Sequence, residues 1–368
     1  MKPQSQKTVS QEEAVQDKPS WLPTVNYLSE TVFGLGGNGV HTAFLNTLAM
    51  MKPSKEFHVR ANSPIPASIL HAHTFGPLYW LMKWTQGAKT VVHAHAIPET
   101  LVGQVKGSDL WLPLFRRYLV AYFNSAELVI CMTQTLKAQL IAMGVRRPIE
   151  VVTLPINLSQ FSQDKDLRKR GRARLGLKAE DEVVLGVGQM IPRKGIFDFV
   201  EVARRNPALQ FVWAGEIPFS VASDSYTQVK ELVQTKPNNL RFAGPFGLAD
   251  MPEIYNAADL FLFPSYQETF GLAIAEAAAC GLPLVLRDLE TYKESFGGHY
   301  LHADHADGFS RQVRRAFANP SLMRKLGSRA QRAVGIYDHR RAAARLENLY
   351  LELCQCGESQ AISAGAMP

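Results

Sequence analysis

PSYQETFGLAIAEAAACGLPLVL (Pro264–Leu286) holds two carboxylates eight positions apart, Glu268 and Glu276, with Gly271 between them. The segment before it, ADLFLFPS (Ala258–Ser265), is an apolar run closed by Pro264 and Ser265, which reads as a buried strand entering a turn. From Leu272 to Cys280 the alanine-rich sequence is a strong helix former. Gly281 and Pro283 stop that helix, and LPLVLRD reads as the next buried strand. The unit is therefore strand, loop, helix, strand, with Glu268 on the loop and Glu276 on the helix. A helix start leaves N–H groups unpaired, so the amides near Phe270, Gly271 and Leu272 make a natural anion site. Acid, amide nest and second acid line one crevice in this reading.

The same alternation runs through the whole chain. LPTVNYLSE, ASILHAHTFG, TVVHAHAIPE, ELVICMT and IEVVTLPI read as strands, separated by helical segments such as VHTAFLNTLAMM, LFRRYLVAYFNSA and QTLKAQLIAMGV. After a charge-dense stretch, DKDLRKRGRARLGL (Asp164–Leu177), it restarts with EVVLGVGQM, LQFVWAGE, LRFAGPF and DLFLFPS. Such alternation argues for parallel sheets with helices on both faces. The expectation is an α/β chain of two Rossmann-like domains, residues 21–163 and 181–335, joined by a solvated linker at 164–180. A C-terminal helix, 336–356, and tails at 1–20 and 357–368 complete the division.

With 368 residues and a 46% hydrophobic share, the chain is long and apolar enough for two packed domains. No run approaches the ~18 apolar residues that span a bilayer. The polar N-terminus lacks the apolar core of a secretory signal and reads as a disordered tail. Four scattered cysteines, Cys131, Cys280, Cys354 and Cys356, make no disulfide framework. A cytoplasmic location is expected. The formal net charge of +7 favours anionic partners without choosing among nucleotide, nucleic acid and acidic lipid.

In parallel sheets ligands bind beyond the carboxyl ends of strands, and the chemistry-bearing residues fall there. The turn Gly34-Leu35-Gly36-Gly37-Asn38-Gly39 follows the first strand; its spacing is not a dinucleotide fingerprint but lets a ligand approach the backbone. In VGQMIPRKG, Arg193 and Lys194 sit between a strand and a helix, placed for a diphosphate. His71 and His73 end one strand and His93 and His95 the next, each pair on one face. Two His-x-His pairs invite a zinc reading. Neutral structural histidine is the commoner explanation, no metal ligand is assigned, and His95 is the member expected to reach the cleft as a hydrogen-bond donor. Asp164-Lys165-Asp166 lies in the charged stretch, not after a strand, and is not read as a metal site.

Taken together, GLGGNGV, VVHAHA, GQMIPRKG and FAGPF…MPEIYNAADLFLFPSYQETFGLAIAEAAACGLPLV resemble a GT-B glycosyltransferase of the retaining family 4, over residues 24 to 350. The resemblance implies two Rossmann-like domains facing across a cleft, a nucleotide-sugar donor (a UDP-sugar) as substrate, and no metal or other cofactor. By position, Arg193 and Lys194 would clamp the donor diphosphate and Glu276 would take the ribose hydroxyls. Glu268 would bind donor-sugar hydroxyls, and the amides of Thr269, Phe270, Gly271 and Leu272 would meet phosphate or sugar. His95 would lie near the reaction centre, Gly36, Gly37, Asn38 and Gly39 near the diphosphate or acceptor, and the last helix would cross back onto the first domain. Many relatives have arginine where Gln189 stands, and this variant, with VLRDLETYKE (Val285–Glu294), looks most like bacterial diacylglycerol glucosyltransferases.

The first domain should hold the acceptor. Between residues 20 and 160 eleven Lys and Arg face six Asp and Glu, and GPLYWLMKW and DLWLPLFRRYLVAYF interleave aromatics with cations. Such stretches suit an anionic membrane surface, or an ordinary core helix with snorkelling arginines. The expectation is transfer of a hexose, glucose first, to a lipid such as diacylglycerol by an enzyme peripheral to the inner face of the cell membrane. A soluble sugar or polysaccharide acceptor is the second enzyme reading. A basic nucleic-acid-binding protein is the non-enzyme reading, though aromatic-rich RNA signatures and zinc-finger spacing are missing.

Overall fold

The computed structural model describes residues 19–33, 39–101, 108–217 and 226–364. The strands are β1 Thr24–Leu28, β2 His58–Ala61, β3 Ile69–Ala72, β4 Lys89–His93, β5 Leu128–Cys131, β6 Ile149–Val151, β7 Val183–Val187, β8 Gln210–Ala214, β9 Leu240–Gly244, β10 Leu260–Phe263, β11 Leu284–Leu286 and β12 Leu301–His302. They form two six-stranded sheets, ordered β2-β1-β3-β4-β5-β6 and β12-β11-β10-β7-β8-β9. All these strand pairings are parallel. Strands β3, β5 and β10 are buried at every residue, as strands covered by helices on both faces must be.

The helices are α1 Gly39–Met51, α2 Pro77–Gln86, α3 Ser108–Ser125, α4 Gln134–Met143, α5 Lys165–Arg174, α6 Ile196–Arg204, α7 Tyr226–Gln234, α8 Met251–Ala257, α9 Leu272–Ala279, α10 Glu290–Phe296, α11 Ala306–Phe317, α12 Pro320–Val334 and α13 His339–Ala364. Helix α9 shows why alanine is used: Ile274 to Ala279 are all buried, and small side chains let its backbone lie close to the sheet.

Strand order positions the site. In the second sheet the order reverses between β7 and β10, and in the first between β1 and β3. A reversal leaves the loops beyond the two strands diverging, and that crevice is where open α/β sheets bind ligands. Arg193 and Lys194 follow β7, Glu268 follows β10, and His73 follows β3.

The charged stretch 164–180, expected as a solvated linker, is instead part of the second domain. Asp164 caps α5, its carboxylate accepting from the Asp166 and Leu167 amides at 2.8 Å. Arg172 is buried and donates to the carbonyls of Ala257, Lys178, Ala179 and Asp181 and to Asp259 Oδ2. Asp259 also accepts from Arg168 and from the Val183 amide. Charge density misled the reading because every donor of this arginine finds a partner brought close only by folding.

The chain crosses between domains twice. Near the second crossing the Ile156 amide donates to the Tyr337 carbonyl at 3.1 Å. Helix α13 then lies on the first domain, where Ala342, Leu346, Leu349 and Tyr350 join the core of Tyr27, Phe44, Met51 and Phe57.

Candidate active site

Four loop ends meet where the two domains face each other. The loop after β7 turns through Arg193 and Lys194 into α6 at Gly195. There φ is +74° and an added Cβ would lie 2.3 Å from the Pro264 carbonyl oxygen, so only glycine lets this loop press against the end of β10. The two loops are then stitched together. The Tyr266 amide donates to the Arg193 carbonyl at 2.8 Å, and Arg193 Nη1 donates to the Gln267 carbonyl at 2.7 Å.

This stitching places Glu268 against both cations. Lys194 Nζ donates to Glu268 Oε1 at 2.5 Å, the Ser265 hydroxyl donates to the same oxygen at 2.8 Å, and Arg193 Nη1 lies 3.7 Å away. All three side chains are largely buried. Burial pushes the Glu268 carboxyl up, but Lys194, Arg193 and the two hydrogen bonds outweigh it and hold it below its usual range. Burial, with Arg193, pushes the Lys194 ammonium down against the pull of Glu268. One carboxylate facing two cations gains more than either cation does, which accounts for both directions. The cluster keeps one net positive charge, two cations less one anion.

Glu276 occupies a different environment. It is 6% exposed on α9 and accepts from the Tyr255 hydroxyl of α8 at 2.7 Å. Burial pushes its carboxyl up to about 7, only partly opposed by that bond. The two acids of one motif are thus split by their surroundings, Glu268 held ionised and Glu276 near neutrality.

Between them the chain turns at Gly271, where φ is +94°. Helix α9 starts at Leu272, and Phe270 faces inward against Phe296 and Tyr337. Phe270 therefore offers the site backbone and not side chain. Thr269 reaches the other domain: its hydroxyl donates to the His95 carbonyl at 3.2 Å, and its carbonyl accepts from Thr133 at 3.4 Å. His95 Nε2 lies 2.9 Å from His73 Nδ1, and burial pushes the His95 imidazole down to about 3, so it is neutral at ordinary pH. Of the expected glycine turn, Gly36, Gly37 and Asn38 lie outside the described residues, and Gly39 opens α1.

The structure puts Arg193, Lys194 and Glu268 in contact and joins Thr269 to His95, while Glu276 meets Tyr255 instead; the supports of these residues were not visible in the sequence. Tyr255 and Ser265 lie within quoted motifs, and both hydroxyls are spent on a carboxylate. Arg287 is buried with its guanidinium 3.7 Å over the Tyr266 ring, donating to Asp198 at 2.6 Å and to the Pro264 carbonyl. Glu294 on α10 accepts from the Gln134 and Thr135 amides at 2.5 and 2.9 Å and from the Thr135 hydroxyl at 2.7 Å. It thereby caps α4 from the opposite domain.

The chain matches two family models, Glycosyltransferase Family 4 over residues 42–160 and Glycosyl transferases group 1 over residues 168–333. It is 32% identical over 309 residues to alpha-galactosylglucosyldiacylglycerol synthase of Streptococcus pneumoniae, covering 82% of each chain. This chain belongs to glycosyltransferase family 4. The processive diacylglycerol alpha-glucosyltransferase of Acholeplasma laidlawii is 29% identical over 213 residues, 58% of this chain and 63% of that one. Among solved structures, Anabaena Alr3699/HepE in complex with UDP and glucose superposes with a TM-score of 0.73 at 19% identity, covering 89% of this chain and 99% of that one. The family 4 member described here thus has the GT-B architecture and is a hexosyltransferase, and the nucleic-acid-binding reading falls.

Proposed function

We propose that this glycosyltransferase moves a hexose from a UDP-sugar to a diacylglycerol-based membrane lipid, with retention at the anomeric carbon. The observation that carries the donor side is the Arg193–Lys194–Glu268 cluster at the strand-order reversal, held opposite His95 by Thr269. Lys194 has three N–H donors and gives one to Glu268, so others remain for a diphosphate. As the nucleoside diphosphate leaves, Arg193, Lys194 and the first amides of α9 stabilise the developing charge. A phosphate oxygen of the donor takes the acceptor proton. Glu268 binds sugar hydroxyls and forms no covalent intermediate, and Glu276 takes the ribose hydroxyls. His95, neutral, hydrogen-bonds near the reacting carbon.

The names of the two relatives, both glycolipid enzymes, support the lipid acceptor. So does the first domain. Helices α2 and α3 pack together through Trp80 Nε1, which donates to the Tyr118 hydroxyl at 3.0 Å. They leave Leu81, Trp84 and Leu114 exposed, with Arg116 and Arg117. Lys83, the cation of the aromatic stretch GPLYWLMKW, turns inward and donates to Thr90 and the Ser125 carbonyl. A shallow recess lined by Ile97, Glu99, Arg116, Ala142, Met143 and, from the other domain, Gln267 offers the acceptor a way in. Among the described residues no helix is long and apolar enough to cross a membrane; the exposed apolar and cationic residues of α2 and α3 support peripheral binding.

Incubation with labelled UDP-, GDP- and ADP-sugars, each with lipid extract or with soluble sugars, tests the reading. A UDP-hexose incorporated into an α-linked glycolipid supports it; incorporation only into water-soluble product refutes the acceptor. Flotation with vesicles tests the membrane contact, and no association with or without anionic lipid refutes it.

A further inference from the structure

Strands β3 and β4 are neighbours, and the His-x-His pairs at their ends stack into one group of four imidazoles. Ring centroids of His71, His73 and His93 lie 4.8, 5.0 and 5.6 Å apart, and His95 lies 4.2 Å from His93. The first three are buried, and one ring nitrogen from each lies within 4.8 Å of the others. Four nitrogens, His71 Nε2, His73 Nε2 and both of His93, meet no hydrogen-bond partner among the described residues. Buried polar atoms are rarely left so, and four in one place point to an occupant.

The remaining two nitrogens are fixed from outside. His71 Nδ1 lies 2.5 Å from the Tyr350 hydroxyl, itself 2.8 Å from the Tyr27 hydroxyl, and His73 Nδ1 lies 2.9 Å from His95 Nε2. One nitrogen held by an outer partner and the other aimed into a shared space is the arrangement of metal-bound histidine.

We propose that His71, His73 and His93 bind one zinc-type divalent cation, through Nε2 of the first two and one nitrogen of the third. Around a tetrahedral ion with Zn–N of about 2.05 Å, ligand nitrogens sit roughly 3.3 Å apart and imidazole centroids roughly 5.2 Å apart. The three observed centroid separations bracket that value, so the rings need chiefly to rotate for their nitrogens to converge. A donor set of imidazoles alone, without carboxylate, suits zinc, nickel or copper and not magnesium or calcium.

The site supplies three protein ligands, leaves the fourth position for water, and lies apart from the donor cluster, but it bears on His95. A cation on His73 Nε2 leaves the proton on His73 Nδ1, which then donates to His95 Nε2. That sets the His95 proton on Nδ1. Through Tyr350 the same cation ties α13 to the sheet beneath it.

The test uses the full chain, free of any polyhistidine tag and dialysed against chelator. Titration with Co²⁺ should show one equivalent bound with the visible absorbance of a four-coordinate centre, displaced by one equivalent of Zn²⁺, and Zn²⁺ should raise the unfolding midpoint. His73→Gln and His93→Gln should lose that equivalent. Tyr350→Phe keeps every ring nitrogen, and should keep the stoichiometry with affinity about tenfold weaker. If the histidine variants fail to fold, the wild-type titration and Tyr350→Phe still decide. No stoichiometric uptake, a midpoint unmoved by Zn²⁺, or uptake unchanged in folded histidine variants would overturn the proposal and leave a hydrogen-bonded imidazole column.

Discussion

Glu276 should make the fold less stable as the pH rises from about 4.5 to about 7, and Glu276→Gln should abolish that slope. Burial lifts this carboxyl from its ordinary 4.5 to about 7 in the folded chain. Between those values the folded molecule holds a proton that the unfolded chain has released. The folded state therefore loses up to about 1.4 kcal/mol per pH unit across the window. The loss is absent below pH 4.5, grows through the window, and levels off above pH 7 at about 3 kcal/mol. Glutamine keeps an oxygen for the Tyr255 hydroxyl and does not titrate, so the stability difference between variant and wild type should shift by that amount in favour of glutamine. Guanidinium unfolding followed by circular dichroism, both proteins side by side across this range, measures it; every other titrating group cancels in the difference. Parallel stability curves would refute the reasoning, because they would mean that the carboxyl is hydrated or paired in the folded chain. The same carboxyl gives a donor readout. Ribose hydroxyls favour its ionised form, so UDP binding to wild type should release a proton below pH 7, and Glu276→Gln should bind more weakly and without that release.

Three further substitutions probe other parts of the molecule. Lys194→Ala should lower kcat about 100-fold, the usual effect of losing one preorganised donor to a developing anion; a change confined to KM for the donor would deny it that role. Arg172→Ala should destabilise the second domain by about 3–5 kcal/mol, since it strands the buried side of Asp259 and four carbonyls; thermal unfolding reads this, and an unchanged midpoint would restore the solvated-linker reading. Glu294→Ala removes a carboxylate from the start of α4, worth roughly 1 kcal/mol. It should loosen domain closure and reduce kcat/KM about fivefold while leaving lipid binding alone, whereas unchanged kinetics would make the contact incidental.

The legible parts of this fold were those set by short-range physics. Parallel strands buried on both faces read as continuous apolar runs, so β5 and β10 were visible as LVIC and LFLF, and ligand residues were found by looking just past strand ends. Arg193, Lys194 and Glu268 follow from that rule. What the rule cannot show is who meets whom. That Glu268 neutralises the two cations, or that Tyr255 holds Glu276, depends on β7 and β10 being adjacent and on α8 facing α9. Arg172 and Lys83 were misplaced for a related reason: a cation beside other cations reads as solvated until the carbonyls that bury it are assembled. The histidine pairs were legible one strand at a time, yet their convergence required β3 and β4 to be neighbours in register.

If Arg193, Lys194 and Glu268 take the donor as proposed, the resting state of their cluster constrains how they would work. An unpaired Arg193 and Lys194 behind a largely buried wall would be costly, and Glu268 removes that cost before any donor arrives. A diphosphate entering the crevice offers those cations a second anion, and Glu268 then loses part of its compensation while remaining buried. Only hydroxyl donors can restore it, and the sugar beside the diphosphate carries them. On the proposed function, phosphate and sugar would therefore be recognised as a unit. A nucleoside diphosphate alone satisfies the cations but leaves Glu268 short, whereas the complete donor satisfies both. A site whose buried carboxylate is left short by the wrong ligand discriminates more strongly than an apolar pocket does. The exchange also turns binding energy toward the reaction. In the proposed reaction the cations would grip most tightly when charge on the departing diphosphate is greatest, and Thr269, bonded to the His95 carbonyl, would keep the neutral imidazole of the first domain within reach at that moment.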